Sequence, residues 1–421
     1  MTKHLPKKSD AGWLLFSALL ALSITSGFAR LVYGQTQNPP AAQGEPRQRP
    51  RRVGEQVAQP TRTPDAKTAA GQSAPVEVGD DEVLRVDTQL VPVPVAVRDR
   101  AGRPVANLRA ENFTVFEDGR PQRLANFSAT DAPFEIALLL DTSGSTREDI
   151  GLIRRAANLF IEQLRPGDRV SIVAFNTKRE GASKLAAVEV KTPLTDDRER
   201  LRDALDKIGS SGGTPFYDAL ERVAREVFRE PPREEVRGRR ALVALTDGVD
   251  STSEAEFEEA RARLRQSGVI SYFIQVNTED FVEERLLRDC QDDGRLSLSK
   301  VQLQRYRRIY AARADAADYA NFCRMGQFER IDISRRLYQL ARSEMQQLAK
   351  DSGGKTFEAL DLRDARRAFA EVAEEIGKLY SLGYYSTNKA RDGSFRQIHV
   401  EVRGVPGAQV TAREGYQAPK G

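Results

Sequence analysis

Residues 135–146 read "EIALLLDTSGST". Five apolar residues, 136–140, run without alternation, as in a strand buried on both faces of a parallel sheet. The run stops at Asp141, and hydroxyls follow at Ser143 and Ser145 on either side of Gly144. Open α/β sheets place their sites at the carboxyl ends of such strands. Metal ligation, phosphoryl chemistry and a plain helix cap all start from residues of this kind. The surrounding sequence has to separate them.

Outward from this stretch the sequence alternates in type. Ile150, Ile153, Ala157, Phe160, Ile161 and Leu164 keep helical spacing, and Pro166-Gly167 closes that helix. "DRVSIVAFN" (168–176) and "AAVEVKTPLT" (186–195) read as strands; 197–208 and 214–228 read as helices. "RRALVALTDG" (239–248) is a further strand, followed by a helix over 253–268 and the strand "VISYFIQV" (269–276). A helix through Leu337, Leu340, Ala341, Met345 and Leu348, a short strand at 355–357 and a helix over 369–379 close the series. Such alternation predicts an α/β unit, a doubly wound, mostly parallel, Rossmann-like sheet covered on both faces.

On both sides of this unit the pattern is β. In "QLVPVPVAVRD" (89–99), Val91, Val93, Val95 and Val97 share one face, and Pro92 and Pro94 fall opposite, which predicts an edge strand. "FTVFEDGRPQRLANFS" (113–128) predicts a hairpin around Asp118-Gly119. Near the other end, "FRQIHVEVRG" (395–404) alternates Ile398, Val400 and Val402, and "AQVTARE" (408–414) adds a strand. Neither flank has enough strands to be stable alone. They are expected to pair into one small β-sandwich, 81–130 with 386–421, into which 131–385 is inserted.

The chain of 421 residues is 40% hydrophobic and 30% charged, enough for a proper core. Its net charge of +4 gives no global nucleic-acid footprint, so no nucleic-acid partner is expected. Two cysteines and two histidines make a Cys/His zinc site a poor fit. Lys3, Lys7 and Lys8 precede an uncharged stretch at 11–29. Residues 1–34 therefore read as a signal peptide or a retained membrane anchor. Either implies export, leaving the protein periplasmic, membrane-anchored or secreted. Residues 35–80, rich in Pro, Gln and Arg, read as a disordered linker, because burial there cannot offset chain entropy.

Three polar clusters follow predicted strands or open predicted helices. They are Asp141, Ser143 and Ser145; Thr214 in "SSGGTP"; and Asp247 in "LTDG". If the strands ending at Asp141 and Asp247 are parallel neighbours, both carboxylates emerge at one sheet edge. Hydroxyls and carboxylates form an all-oxygen donor set, suited to a hard divalent cation, Mg²⁺ above Mn²⁺ or Ca²⁺. Three neutral hydroxyls and two carboxylates at most neutralise the cation. A vacant position would attract an acidic side chain from outside.

The order D-x-S-x-S, Gly-Gly-Thr-Pro, T-D-G resembles the metal-ion-dependent adhesion site of von Willebrand factor type A domains. "TPFYDAL" and "DRVSIVAFN" resemble that family as well, and the resemblance spans roughly 132–385. It implies a doubly wound fold whose metal, held by Asp141, Ser143, Ser145, Thr214 and Asp247, receives a Glu or Asp from a protein ligand. The outer segments "FTVFEDGRPQ" and "REGYQAP" more loosely resemble exported, von Willebrand-type proteins of soil bacteria, of acidobacterial type. An adhesion or protein-interaction module is therefore expected, with a non-adhesive envelope scaffold as the alternative.

Enzymatic readings fit less well. A D-x-D phosphohydrolase needs a second aspartate where Ser143 stands, and without it proton transfer has no agent. No G-x-S-x-G elbow surrounds Ser143 or Ser145. "SGGKT" at 352–356 follows a helix and opens a strand, the reverse of a phosphate loop. Residues 278–332 form an insert beyond a minimal type A domain and contain both Cys290 and Cys323. In an exported chain these can pair, contributing on the order of 3–4 kcal/mol, or remain two thiols. The insert leaves a strand end on the metal face, so it is expected to shape or gate partner recognition.

Overall fold

The computed structural model describes residues 90–420 except 130–131, 144–149, 181–182, 234–235, 237–238 and 289–297. The chain divides into two units, Met1–Asp81 and Glu82–Gly421. Every described residue belongs to the second. The leader or anchor at 1–34 and the linker at 35–80 lie outside the described residues. Among the described residues, no helix is long and apolar enough to cross a membrane.

Strand β1 (Leu90–Arg98) buries its four alternate valines. β2 (Phe113–Glu117) pairs with β3 (Arg120–Gln122) across Asp118-Gly119, whose φ values are 46° and 77°. Positive φ at both positions is the backbone that Asp-Gly hairpin turns favour. β4 (Leu124–Ser128) then crosses to a second sheet.

The α/β unit starts with β5 (Glu135–Leu140), buried at every position. α1 (Ile150–Gln163) turns Ile153, Ala157, Phe160 and Ile161 inward, and the antiparallel pair β6 (Arg169–Glu180) and β7 (Ser183–Thr195) follows. α2 (Arg198–Asp206) is capped by Asp197, whose carboxylate accepts the Glu199 and Arg200 amides at 3.0 and 3.1 Å. After α3 (Phe216–Arg222) comes β8 (Arg240–Thr246), also buried throughout. α4 (Phe257–Ser267) ends on left-handed Gly268, leading into β9 (Ile270–Val276). Three helices follow: α5 (Glu279–Arg288), α6 (Lys300–Tyr310) and α7 (Gln327–Ser352). β10 (Lys355–Ala359) and α8 (Ala365–Ile376) complete the unit.

Its six strands lie in the order β10-β9-β8-β5-β6-β7, and every pair is parallel except β6 with β7. Separate apolar clusters fill the two faces, one built on Phe160 and Phe369, the other on Phe216 and Phe273. This is the doubly wound, mostly parallel sheet that the alternation predicts. From β5 the chain moves one way to β6 and later the other way to β8. The topological switch point, where such sheets bind ligands, therefore lies between Asp141 and Asp247.

The flanks supply two antiparallel sheets. β11 (Tyr380–Tyr385), β12 (Phe395–Val402), β13 (Gln409–Ala412) and β14 (Gly415–Gln417) join the first four strands as β13-β1-β11-β4 and β14-β12-β2-β3. Each sheet mixes strands from both chain ends, and Val93, Val115, Tyr384 and Val400 share one core. Three local expectations change. β1 is interior, not an edge, although β13 reaches only Val95–Arg98 of it, so Pro92 and Pro94 occupy the part paired by β11 alone. The residues 380–385 form a strand between β1 and β4, so the sandwich claims a segment that hydropathy assigns to the α/β unit. α7 begins at Gln327, earlier than the apolar spacing from Ile333 indicates, because its first turns are exposed.

Candidate metal centre

Asp141 sits one residue beyond β5, where its amide donates to Leu245 O of β8 at 2.9 Å. Thr246, opposite it at the end of β8, donates its hydroxyl to Asp141 Oδ2 at 2.6 Å. The Ser143 amide donates to Asp141 Oδ1 at 2.9 Å. Asp247 follows Thr246; its Oδ1 accepts the Val249 amide at 3.0 Å and its Oδ2 accepts the Thr278 hydroxyl at 2.6 Å. The parallel pairing of β5 with β8 is what sets the two carboxylates side by side.

The second loop is stitched to the other two. Ser211 donates its amide to Thr142 O at 2.7 Å. Thr214 donates its amide to Ser251 Oγ at 2.8 Å and accepts the Ser251 amide at 3.0 Å. Gly213 is needed for that approach, since a Cβ there would lie 2.6 Å from Thr252 Cγ2. Gly212 has no such constraint: a Cβ there would only touch Thr177 at 3.8 Å. Asp141, Ser143, Thr214 and Asp247 are thus gathered by three interlocked loops, all four nearly withdrawn from solvent. Ser145 lies outside the described residues.

Burial lifts the Asp141 carboxyl well above the usual range, and the neighbouring Asp247 charge lifts it further. Hydrogen bonds from Ser143 and Thr246 oppose the rise without cancelling it. Two buried carboxylates that repel each other form an environment that a cation would relieve. Among the described residues no group of three or more His, Cys, Asp and Glu side chains converges as a metal site. Two carboxylates with neighbouring hydroxyls are donors of the kind that would suit a hard cation rather than zinc.

Four residues around the site escaped the sequence reading. Asp250 accepts the Phe216 amide at 2.9 Å and bonds the Ser253 hydroxyl, fixing the start of α3 behind Thr214. Burial pushes its carboxyl up to about 6. Thr246 orients Asp141, and Thr278 orients Asp247 while contacting Tyr338 OH at 2.8 Å. The burial of Tyr338 together with the Asp247 charge raises its phenol above the ordinary range. Only Asp250, three residues past Asp247, offered a positional hint. The Thr278 and Tyr338 contacts depend on tertiary packing across 31 and 60 residues.

The insert is built onto this face. Leu286, Leu303, Tyr306, Phe322, Ile333 and Leu337 pack with Val249 of the third loop. Ser299, the cap of α6, donates its hydroxyl to Ser251 O at 2.6 Å. Arg305 of α6 donates to Glu344 Oε1 at 2.5 Å, Tyr217 OH donates to Glu344 Oε2 at 2.7 Å, and the guanidinium lies 4.6 Å from the Tyr217 ring centroid. Cys323 is disulfide-bonded; Cys290, its expected partner, lies outside the described residues.

Residues 135–300 match the von Willebrand factor type A domain, a class that mediates protein–protein interaction. The match takes in all three motif loops and reaches the first residue of α6. Among solved structures, the chain is similar to conserved hypothetical protein BatB from Bacteroides thetaiotaomicron, at 18% identity over 58% of this chain and 98% of that one, with a TM-score of 0.34. It is also similar to proximal thread matrix protein 1 from the mussel byssus, at 12% identity over 58% and 48%, TM-score 0.36. A third similarity is to the N-terminal domains of the type V pili tip protein Mfa5 from Porphyromonas gingivalis, at 16% identity over 39% and 28%, TM-score 0.23. Comparison with curated proteins gives no match.

Proposed function

We propose that this protein is a metal-dependent protein-interaction or adhesion module of the cell envelope or the extracellular space. Asp141, Ser143, Ser145, Thr214 and Asp247 would hold a divalent cation, Mg²⁺ first, which would take a Glu or Asp side chain from a protein partner. The supporting observation is the pair of mutually repelling, buried carboxylates at the switch point of the sheet. The ion would supply attraction for the partner's carboxylate. The chain's own part is to aim the oxygens, with Thr246 and Thr278 fixing the two aspartates. On this reading the site holds a partner's carboxylate and does not turn a substrate over. Export through residues 1–34, with membrane attachment through 11–29 if they are retained, belongs to the same reading.

The test is an affinity capture from envelope extract with Mg²⁺, with chelator, and with Asp247→Ala. A partner retained only by the native protein in Mg²⁺ supports the reading. Partners captured equally under all three conditions would refute it. Attachment of cells or matrix would mark adhesion; a discrete soluble complex would mark the scaffold alternative.

A further inference from the structure

Helix α6 separates its cations into two kinds. Arg305 is buried against Glu344, and exposed Arg308 pairs with Glu256 at 2.6 and 2.8 Å. Lys300 and Arg307 make no ion pair among the described residues; the Arg307 guanidinium reaches only Ala314 O, at 3.4 Å. On α7 the pattern is the paired one, Arg335 with Glu283, Arg336 with Asp332 and Arg342 with Glu279. Both unpaired cations of α6 line one groove of about 560 Å³, together with Gln304, Arg308, Ala316 and Tyr319. Burial, and then the charges of Glu329 and Asp318, raise the Tyr319 phenol, so acidic charge is felt at the Tyr319 side of the groove and the unpaired cations stand on the α6 side.

The groove starts beside the candidate metal centre. Lys300 follows Ser299, which is bonded to the same Ser251 that clamps Thr214. Lys300 and Arg307 lie two turns apart, about 10 Å along the helix axis. Three residues of extended chain cover about the same distance.

We propose that this groove is a second contact for the protein partner, and that the partner is an extended acidic segment. One of its carboxylates goes to the metal centre, and others, three residues apart, go to Lys300 and Arg307. The inference rests on the metal-centred reading and deepens it. Uncompensated cations beside a site that already selects carboxylates give electrostatic complementarity, which sets specificity and encounter rate.

The test uses a fluorescein-labelled decapeptide of glutamate and glycine, its glutamine counterpart, and a ten-nucleotide single-stranded DNA, with anisotropy as readout. The native chain in Mg²⁺ is expected to bind the glutamate peptide and not the glutamine one. The double variant Lys300→Glu/Arg307→Glu, with an unchanged melting temperature, should bind about tenfold more weakly, with a flatter salt dependence. Loss with chelator but not with charge reversal overturns the groove and leaves the metal reading intact. Loss with charge reversal but not with chelator or Asp247→Ala keeps the groove and overturns the metal reading. DNA binding as tight as the acidic peptide shows an indiscriminate polyanion surface and overturns the proposal. Should the double variant not fold, Lys300→Gln and Arg307→Gln singly carry the same comparison.

Discussion

Arg305→Met is the most informative single change to the insert. Methionine keeps the apolar stem but leaves the Glu344 carboxylate with Tyr217 OH alone. Both members of the pair are more than nine-tenths withdrawn from solvent. Breaking such a pair from one side costs about 3–5 kcal/mol, and the lost guanidinium–ring contact adds up to about 2 kcal/mol. The carboxylate has an escape, because it can take up a proton. Burial already raises the Glu344 carboxyl, and Arg305 is the main opposing influence. In the variant the folded form therefore holds a proton that the unfolded form releases. Stability then falls as pH rises above the ordinary glutamate range, by at most about 1.4 kcal/mol per pH unit. Urea unfolding at pH 5 and pH 8 should show a deficit near 1–2 kcal/mol at the lower pH and near the full loss at the higher. Adding Glu344→Gln removes the orphaned charge and should recover most of the loss at pH 8. A deficit equal at both pH values, or single-variant losses that simply add, would refute this account of the network.

Three further outcomes follow from the same geometry. Asp141→Asn should raise the melting temperature in chelator, by ending its repulsion with Asp247, while abolishing stabilisation by Mg²⁺; a native Mg²⁺ response in the variant would remove Asp141 from the metal centre. Glu117→Gln leaves buried Arg396 with the more distant Asp392 as its acidic partner and weakens the bonds from Tyr384, Tyr416 and Ser386, so urea unfolding should show about 1.5–3 kcal/mol of loss; a loss under about 0.5 kcal/mol would contradict that assignment. Gly354→Ala would put a Cβ 1.9 Å from Ser271 O in β9, costing at least about 3 kcal/mol by calorimetry, whereas Gly209→Ala, which meets nothing within 4 Å, should be neutral; equal effects would refute the packing explanation.

That last glycine shows where sequence patterns stop being legible. "SGGKT" has phosphate-loop composition, and only element order argued against it. The structure supplies a physical use for both glycines: Gly353 is the left-handed cap of α7, and Gly354 lies against the backbone of β9. The sheet was readable because β5 and β8 are buried at every position and so carry unbroken apolar runs. Asp141 and Asp247 were readable as sudden polarity ending those runs. β11 was not, although Tyr380, Leu382 and Tyr384 alternate with Ser381 and Gly383. The helical pattern runs on past the Gly377 cap to 379, and the strand's partners β1 and β4 lie far away in sequence. Thr278 and Tyr338 look like ordinary loop and helix residues until packing brings them to Asp247.

The position of the insert changes which experiment can test its role. Sequence alone suggests removing about 280–330 and asking whether partner binding changes. The structure shows that this deletion takes Arg305 from Glu344, Ser299 from Ser251, and the apolar cover from Val249. Ser251 and Val249 belong to the loop that carries Asp247, and Glu344 of α7 holds Tyr217 in α3, three residues past Thr214. A deletion would therefore loosen the metal loops and weaken binding whether or not the insert ever touches a partner. Surface changes at Lys300 and Arg307 avoid this ambiguity, because neither residue supports the loops, while Arg305→Met perturbs the support and leaves those groove cations in place. If the insert acts by contact, the first set alters partner selectivity at constant metal affinity. If it acts as a brace, the second lowers metal affinity and partner affinity together.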